Sequence, residues 1–279
     1  MKLLIALLLF TTLLRAQQPV LEPRPPDFKP SPVCHDHQHF HSAALNRDMG
    51  YCILLPADYA SAQRDYPVLY LLHGLWGSEN DWLASTNLRN YAHAIPLVIV
   101  MPEGDDGWYT NWQSDPAARY EDYLTTDLPR EIAAKYRIST DRTHTFIAGL
   151  SMGGYGAMKA ALKHPDRYAA VGAFSSPFAI TRQSGDGFRT PTLAFGPGNS
   201  PDRPANDDLL LAAHSDPAAL PYLFITCGTN DFLLNENNQM LQVLHLIRAR
   251  YEYHETPGAH EWPFWDRSIQ LFLERLTPH

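Results

Sequence analysis

The chain is short of charge and short of cysteine. Of its 279 residues only 19% are charged, against 45% hydrophobic. That balance excludes an intrinsically disordered protein and leaves enough apolar side chain for a large core, as one α/β domain or two small ones. Positive charge is scarcer than negative, with 22 Lys and Arg against 30 Asp and Glu, a formal net charge of −8. An acidic surface is poorly suited to hold nucleic acid or an anionic membrane, and neither is expected as a partner. Cysteine is limited to Cys34, Cys52 and Cys227, too few for a disulfide framework and an odd number, so at least one thiol stays unpaired. The N-terminal apolar run from Leu3 to Leu14 is too short to span a bilayer stably, and no second hydrophobic run is long enough to do so.

That N-terminal run reads as part of a secretory signal peptide, residues 1–16: basic Lys2, the apolar stretch, and small Ala16 before Gln17 and Gln18. Its removal takes away Lys2 and Arg15, leaving 20 basic against 30 acidic residues, a charge of about −10. A secreted or periplasmic location is therefore expected. The sequence "QQPVLEPRPPDFKPSPV" follows, and residues 17–36 read as a proline-rich, extended arm before a single domain over residues 37–279.

The domain opens with "HDHQHFHSAALNRDMGYCILLP", two strands around a polar turn. A turn near Asn46 and Arg47 sets Cys52 opposite His41 rather than Cys34, so no Cys34–Cys52 disulfide is expected. His37, His39 and His41 alternate and share one strand face, but no carboxylate or cysteine stands at ligand spacing. They read as a solvated edge, and no metal is assigned to them. Cys227 lies inside the apolar run "YLFITCG" and reads as a small core residue.

The remainder alternates apolar runs with segments of helical spacing. The runs are Pro67–Gly74, Pro96–Gly104, Thr143–Ser151, Ala169–Ser176 and Pro221–Asp231, and their near-continuous hydrophobicity marks strands buried on both faces. Helical spacing holds over Tyr120–Tyr136, Tyr155–His164, Glu236–Tyr251 and Pro263–Leu276. The fold class is α/β: a mostly parallel central sheet flanked by helices, with an N-terminal antiparallel hairpin. Phe178–Leu209, rich in Gly, Pro and Asp, breaks the rhythm as an excursion over one face, which amounts to a small cap or none.

Within this frame Gly149-Leu150-Ser151-Met152-Gly153 is a G-x-S-x-G between a strand and a helix. A sharp strand-to-helix turn lifts a serine hydroxyl off the sheet edge and tolerates only small neighbours. The hydroxyl needs a base oriented by an acid, in the chain order Ser, Asp or Glu, His. Asp231, ending "FITCGTND", and His260, in "PGAHEWPFW", satisfy that order. His254 sits in a strand-like segment, Asp207 and Asp208 lie in the irregular excursion, and Asp216 lacks a preceding strand, so each fits less well. Two backbone N–H groups must hold the oxyanion; Met152 supplies one and Leu75, after the strand "PVLYLL" and His73-Gly74, the other. His73 reads as structural.

These blocks, together with "HGLWGSENDW", "MPEGDDGWYTNW", "YEDYLTTDLP", "GLSMGGYGAMKAALKHPDRY" and "CGTNDFLLNEN", resemble the putative esterase family of α/β-hydrolases across residues 41–276. That family includes esterase D, S-formylglutathione hydrolases, tributyrin-type and feruloyl esterases, and mycolyltransferases. The resemblance implies an α/β-hydrolase fold, Ser151, Asp231 and His260 as the triad, Leu75 and Met152 as the oxyanion hole, and no metal or organic cofactor. Together with the leader it implies a secreted serine carboxylesterase for short-chain acyl or aryl esters, carried on small molecules or carbohydrate. An acyltransferase to a sugar and a thioesterase like S-formylglutathione hydrolase are the alternatives. Trp76, Trp108, Trp112 and Trp262 are candidates to line an acyl or aryl pocket, or else packing residues. Nothing in the sequence sets an oligomeric state.

Overall fold

The computed structural model describes residue 34 and residues 36–183 and 189–276; the expected signal peptide and nearly all of the proline-rich arm lie outside them. Among the described residues eight strands form one sheet: β1 (His37–Ser42), β2 (Arg47–Leu54), β3 (Val68–Leu72), β4 (Val98–Pro102), β5 (Thr145–Leu150), β6 (Ala170–Phe174), β7 (Tyr222–Gly228) and β8 (Tyr251–Thr256). Their order is β1-β2-β4-β3-β5-β6-β7-β8. The pairs β1·β2 and β2·β4 are antiparallel, and every pairing from β4 through β8 is parallel.

The apolar runs become strands because both sheet faces are covered. Along β3, Val68, Tyr70 and Leu72 enter a core on one side, and Leu69 and Leu71 enter a core on the other. The helices Leu128–Lys135, Met152–Lys163 and Leu234–Leu246 close the first side through Ile132, Tyr155, Met158, Met240 and Leu244. Trp262–Leu276 closes the second through Phe264, Trp265, Ile269 and Phe272. Among the described residues no helix is long and apolar enough to cross a membrane.

The structure corrects the sequence reading at the hairpin. Its turn occupies residues 43–46, ahead of the expected position, and the register pairs His37 with Cys52 and His41 with Asp48. Asp127 pins that turn by accepting 2.8 Å hydrogen bonds from the Ser42 hydroxyl and the Ala44 N–H, and Asn46 closes it at φ 50°. Cys34 is thereby brought to Cys52, and the two form a disulfide with Cα atoms 5.9 Å apart. Cys227 is the free cysteine, wholly buried, and burial pushes its thiol pKa up.

Two helices also differ from their sequence patterns. The segment predicted as one helix over Tyr120–Tyr136 contains a π turn, Tyr123–Asp127, before the helix Leu128–Lys135. Pro129 has no N–H to give the Thr125 carbonyl, which instead accepts from Arg167 Nη1 at 2.6 Å. The helix expected to reach Tyr251 stops at Leu246, where Arg248 turns the chain at φ 59° into β8.

The described parts of the Phe178–Leu209 excursion, residues 178–183 and 189–209, pack onto the helix Met152–Lys163. Phe178 and Phe195 are wholly buried, and the Tyr155 hydroxyl donates to the Asn206 carbonyl at 2.7 Å. Arg203, 5% exposed, gathers this irregular backbone by donating to carbonyls of Pro197 and Gln183 at 2.8 Å and to those of Thr181 and Gly196.

Candidate active site

Ser151 follows the last residue of β5 and precedes the helix Met152–Lys163, with φ 50° and ψ −120°. No L-residue adopts that backbone without cost, so the turn must be held by its surroundings. The Ser151 N–H donates to the Phe174 carbonyl of β6 at 2.8 Å. The flanking glycines are required by close approach. A Cβ on Gly149 would lie 2.5 Å from the Gly153 carbonyl, and one on Gly153 would lie 2.5 Å from the His73 carbonyl oxygen.

Three side chains from distant segments meet at this turn. His260 Nε2 lies 3.0 Å from Ser151 Oγ, and His260 Nδ1 lies 3.1 and 3.2 Å from the two carboxylate oxygens of Asp231. Asp231 comes from the loop after β7 and is 5% exposed; its Oδ1 also accepts the Leu233 N–H at 2.9 Å. Burial alone would raise its pKa, but hydrogen bonding to His260, the imidazole charge, the Leu233 N–H and the Ser175 hydroxyl together hold it below the ordinary value. A carboxylate ionised in this position keeps the proton of His260 on Nδ1 and leaves Nε2 free to accept from Ser151.

Met152 directly follows the serine, and the residue before Leu75 approaches it, since a Cβ on Gly74 would lie 3.5 Å from Ser151 Cβ. Met152 is the first residue of its helix, where a backbone N–H has no intrahelical acceptor. Leu75 sits in a turn closed by the Gly77 N–H on the Gly74 carbonyl at 3.1 Å and by the Trp76 N–H on Asp106 Oδ1 at 2.8 Å. Among the described residues neither the Leu75 nor the Met152 N–H has a protein acceptor. His73, 1% exposed, supports this turn through Nδ1, 2.7 Å from the Gly74 carbonyl oxygen, and Nε2, 2.9 Å from the Gly104 nitrogen.

The competing candidates are engaged elsewhere. His254 lies on β8 with Nε2 2.5 Å from Glu252. Asp207 caps the helix Asp208–Ala213 and pairs with Arg182, and Asp216 caps the Ala218 N–H at 2.9 Å. Asp208 is wholly buried, and burial raises its pKa well above the usual range. On the hairpin, His37 lies 2.7 Å from Glu79, His41 lies 3.1 Å from Asp48, and His39 is exposed.

The four tryptophans separate. Trp262, half-buried, meets Trp82 and Trp265 edge-on, one ring removed from His260. Trp76 is half-buried at φ 62° beside Leu75. Trp108 is 2% exposed between Tyr155 and Phe195, which makes it a packing residue, and the Trp112 Nε1 donates to the Gly107 carbonyl at 3.0 Å.

Sequence reasoning missed Trp265, Ser175 and Phe232. Trp265 meets the His260 ring edge-on at 4.9 Å, with its Nε1 donating to Ser175 Oγ at 3.1 Å. Phe232 tilts against the same imidazole at 4.6 Å. The available signal was position alone: Phe232 adjoins Asp231, and Trp265 lies one helical turn into the segment after His260.

Known proteins resemble this chain in sequence and fold. The chain is 26% identical to the acetyl esterase of Caldicellulosiruptor saccharolyticus over 258 residues, covering 86% of this chain and 96% of that protein. The fluorophosphonate-binding serine hydrolase F of Staphylococcus aureus superposes with a TM-score of 0.78 at 26% identity, covering 87% of this chain and 98% of that one. A ferulic acid esterase superposes with a TM-score of 0.74 at 27% identity, over 86% and 98% of the two chains. The fold is that of the α/β-hydrolase serine hydrolases, and the family model described as "Putative esterase" matches residues 42–275, so this chain belongs to that esterase family.

Proposed function

We propose that the protein is an exported serine carboxylesterase that cleaves short-chain acyl or aryl esters, including carbohydrate-linked ones, through an acyl-enzyme on Ser151. The observation that carries the reading is the unbroken hydrogen-bonded line from Asp231 through His260 to Ser151. As His260 Nε2 takes the hydroxyl proton, Ser151 Oγ attacks the ester carbonyl, and the negative charge of Asp231 stabilises the imidazolium. The carbonyl oxygen becomes an oxyanion held by the Leu75 and Met152 N–H groups, with the helix N-terminus adding a favourable field. The tetrahedral intermediate collapses when His260 returns its proton to the departing alcohol oxygen. Water then enters by the same route, giving the acid and free Ser151.

Two features support export. The N-terminal sequence has the composition of a leader, and the Cys34–Cys52 disulfide suits a compartment more oxidising than the cytosol. The acetyl esterase and ferulic acid esterase relatives support small acyl and aryl ester substrates.

The test is hydrolysis of p-nitrophenyl esters from acetate to palmitate, with methyl ferulate and acetylated xylan alongside, by wild type and Ser151→Ala. Turnover confined to short or aryl esters and lowered by about 10⁴-fold or more in Ser151→Ala is the expected result. Near-normal turnover in the variant would remove Ser151 from the mechanism. A processed N-terminus near Ala16 in protein recovered outside the cytoplasm is the matching check on export.

A further inference from the structure

An isolated apolar ring on a protein surface needs no explanation; Phe232 is exposed at a particular place. It is 48% exposed, yet its backbone is fixed between Asp231 and the 6%-exposed Leu233, whose N–H donates to the Asp231 carboxylate. Its ring centroid lies 4.6 Å from that of His260, at an interplanar angle of 46°. The other ring on the imidazole, Trp265, is 6% exposed and has its Nε1 committed to Ser175. Of the two rings that hold the imidazole, Phe232 is the one with open surface. The Asn230 N–H donates to the Gly258 carbonyl at 2.9 Å, tying the Phe232 loop to the loop that carries His260. Thr229 and Asn230, just before Asp231, are exposed and give this edge a polar rim.

The chemistry decides which half of an ester would meet Phe232. The tetrahedral carbon bears Ser151 Oγ, the oxyanion facing the Leu75 and Met152 N–H groups, the acyl chain and the departing oxygen. That oxygen must come within hydrogen-bond reach of His260 Nε2 to be protonated. The alcohol half therefore departs from beside the imidazole, against which the exposed Phe232 ring is tilted.

We propose that Phe232 is the platform of a leaving-group subsite that takes ring-bearing alcohols, stacking the C–H face of a sugar or the π face of an aryl alcohol. The subsite rests on the acyl-enzyme reading above. Its fixed position relative to His260 makes it preorganised: a ring alcohol bound on Phe232 presents its oxygen to the general acid with little further ordering.

The test holds the acyl group constant as acetyl and varies the alcohol: ethyl acetate, benzyl acetate and a monoacetylated methyl xyloside. Initial rates are measured for wild type, Phe232→Ala, Phe232→Tyr and Ser151→Ala. The readout is the ratio of kcat/KM for each ring alcohol ester to kcat/KM for ethyl acetate. Phe232→Ala is expected to lower that ratio by about three- to tenfold, the size of one aromatic stacking contact, and Phe232→Tyr to keep it. A fall for the xyloside alone assigns the platform to sugars, and a fall for benzyl acetate alone to aryl alcohols. An unchanged ratio with every rate lowered equally would overturn the platform and leave Phe232 as a support for the His260 ring. Turnover that survives in Ser151→Ala would instead count against the esterase reading, whatever the Phe232 ratio.

Discussion

His260 Nε2 stands 3.0 Å from Ser151 Oγ, although the two residues are 109 positions apart in the chain. The contact exists because β5 and β7 run parallel in one sheet and end at the same edge, so the loops beyond them meet. Ser151 rides on the turn after β5. Asp231 follows β7, and His260 follows β8, which pairs with β7.

The third member of that line should matter through the tautomer it imposes. Asp231→Asn preserves shape but lets the amide donate to Nδ1, which moves the imidazole proton to Nε2 and blocks acceptance from Ser151. The expected result is a fall in kcat of about 10³- to 10⁴-fold at neutral pH with an unchanged melting profile. A variant within tenfold of wild type would show that Asp231 does not orient the base.

Asp106 should act through geometry. It fixes the turn that presents the Leu75 N–H by accepting from Trp76 at 2.8 Å, where Trp76 sits at φ 62°. Asp106→Ala is expected to lower kcat by about ten- to a hundredfold, less than outright loss of an oxyanion donor, while KM for a short ester changes little. A rise in KM with kcat intact would place Asp106 in ground-state binding instead.

Much of this site was legible in the chain because its signals are local. The strand β5, the glycines around Ser151, and Asp231 directly after an apolar run each announce themselves within about ten residues. His260 was legible through chain order. What escaped depends on tertiary contact. The hairpin register was misjudged because Asp127, remote in sequence, pins the turn at Ser42 and Ala44, and with it the Cys34–Cys52 bond was missed. The π turn at Tyr123–Asp127 keeps a helical hydrophobic pattern and leaves only Pro129 as a hint. Phe232 and Trp265 read as ordinary apolar residues until the fold sets them against His260.

Stability should depend on a buried charge cluster behind the nucleophile helix. Glu121 lies 3.0 Å from Lys159, which is 1% exposed, and 2.8 Å from Lys163. Burial raises the pKa of Glu121, but the two ammonium groups outweigh it and hold it at about 2; burial lowers that of Lys159 to about 8. Glu121→Gln leaves Lys159 without its carboxylate and is expected to cost about 3 kcal/mol. A carboxyl whose pKa is depressed by folding stabilises the fold above its unfolded pKa. The advantage of wild type should therefore be full near pH 7 and shrink as pH falls below about 4.5 toward 2. Urea unfolding of both proteins across that range checks it, and a difference independent of pH would contradict it.

The disulfide should stabilise the edge of the sheet without taking part in the chemistry. It joins cysteines 18 positions apart in the chain, a loop for which chain-entropy arguments give about 3 kcal/mol. Reduction, or Cys34→Ser, is expected to lower the denaturation midpoint by a matching amount while kcat on a short ester at 25 °C holds. An unchanged midpoint under reducing conditions would show that the bond does not constrain the unfolded chain.

The most direct test of Ser151 as nucleophile is covalent labelling. Wild type, Ser151→Ala and His260→Ala are treated with a fluorophosphonate, digested, and the modified peptide is identified by mass spectrometry. A single phosphonyl adduct on Ser151, absent in Ser151→Ala and formed far more slowly in His260→Ala, is the predicted result. An adduct on another residue, or labelling of Ser151 at an undiminished rate without His260, would contradict the assignment of a His260-activated serine nucleophile.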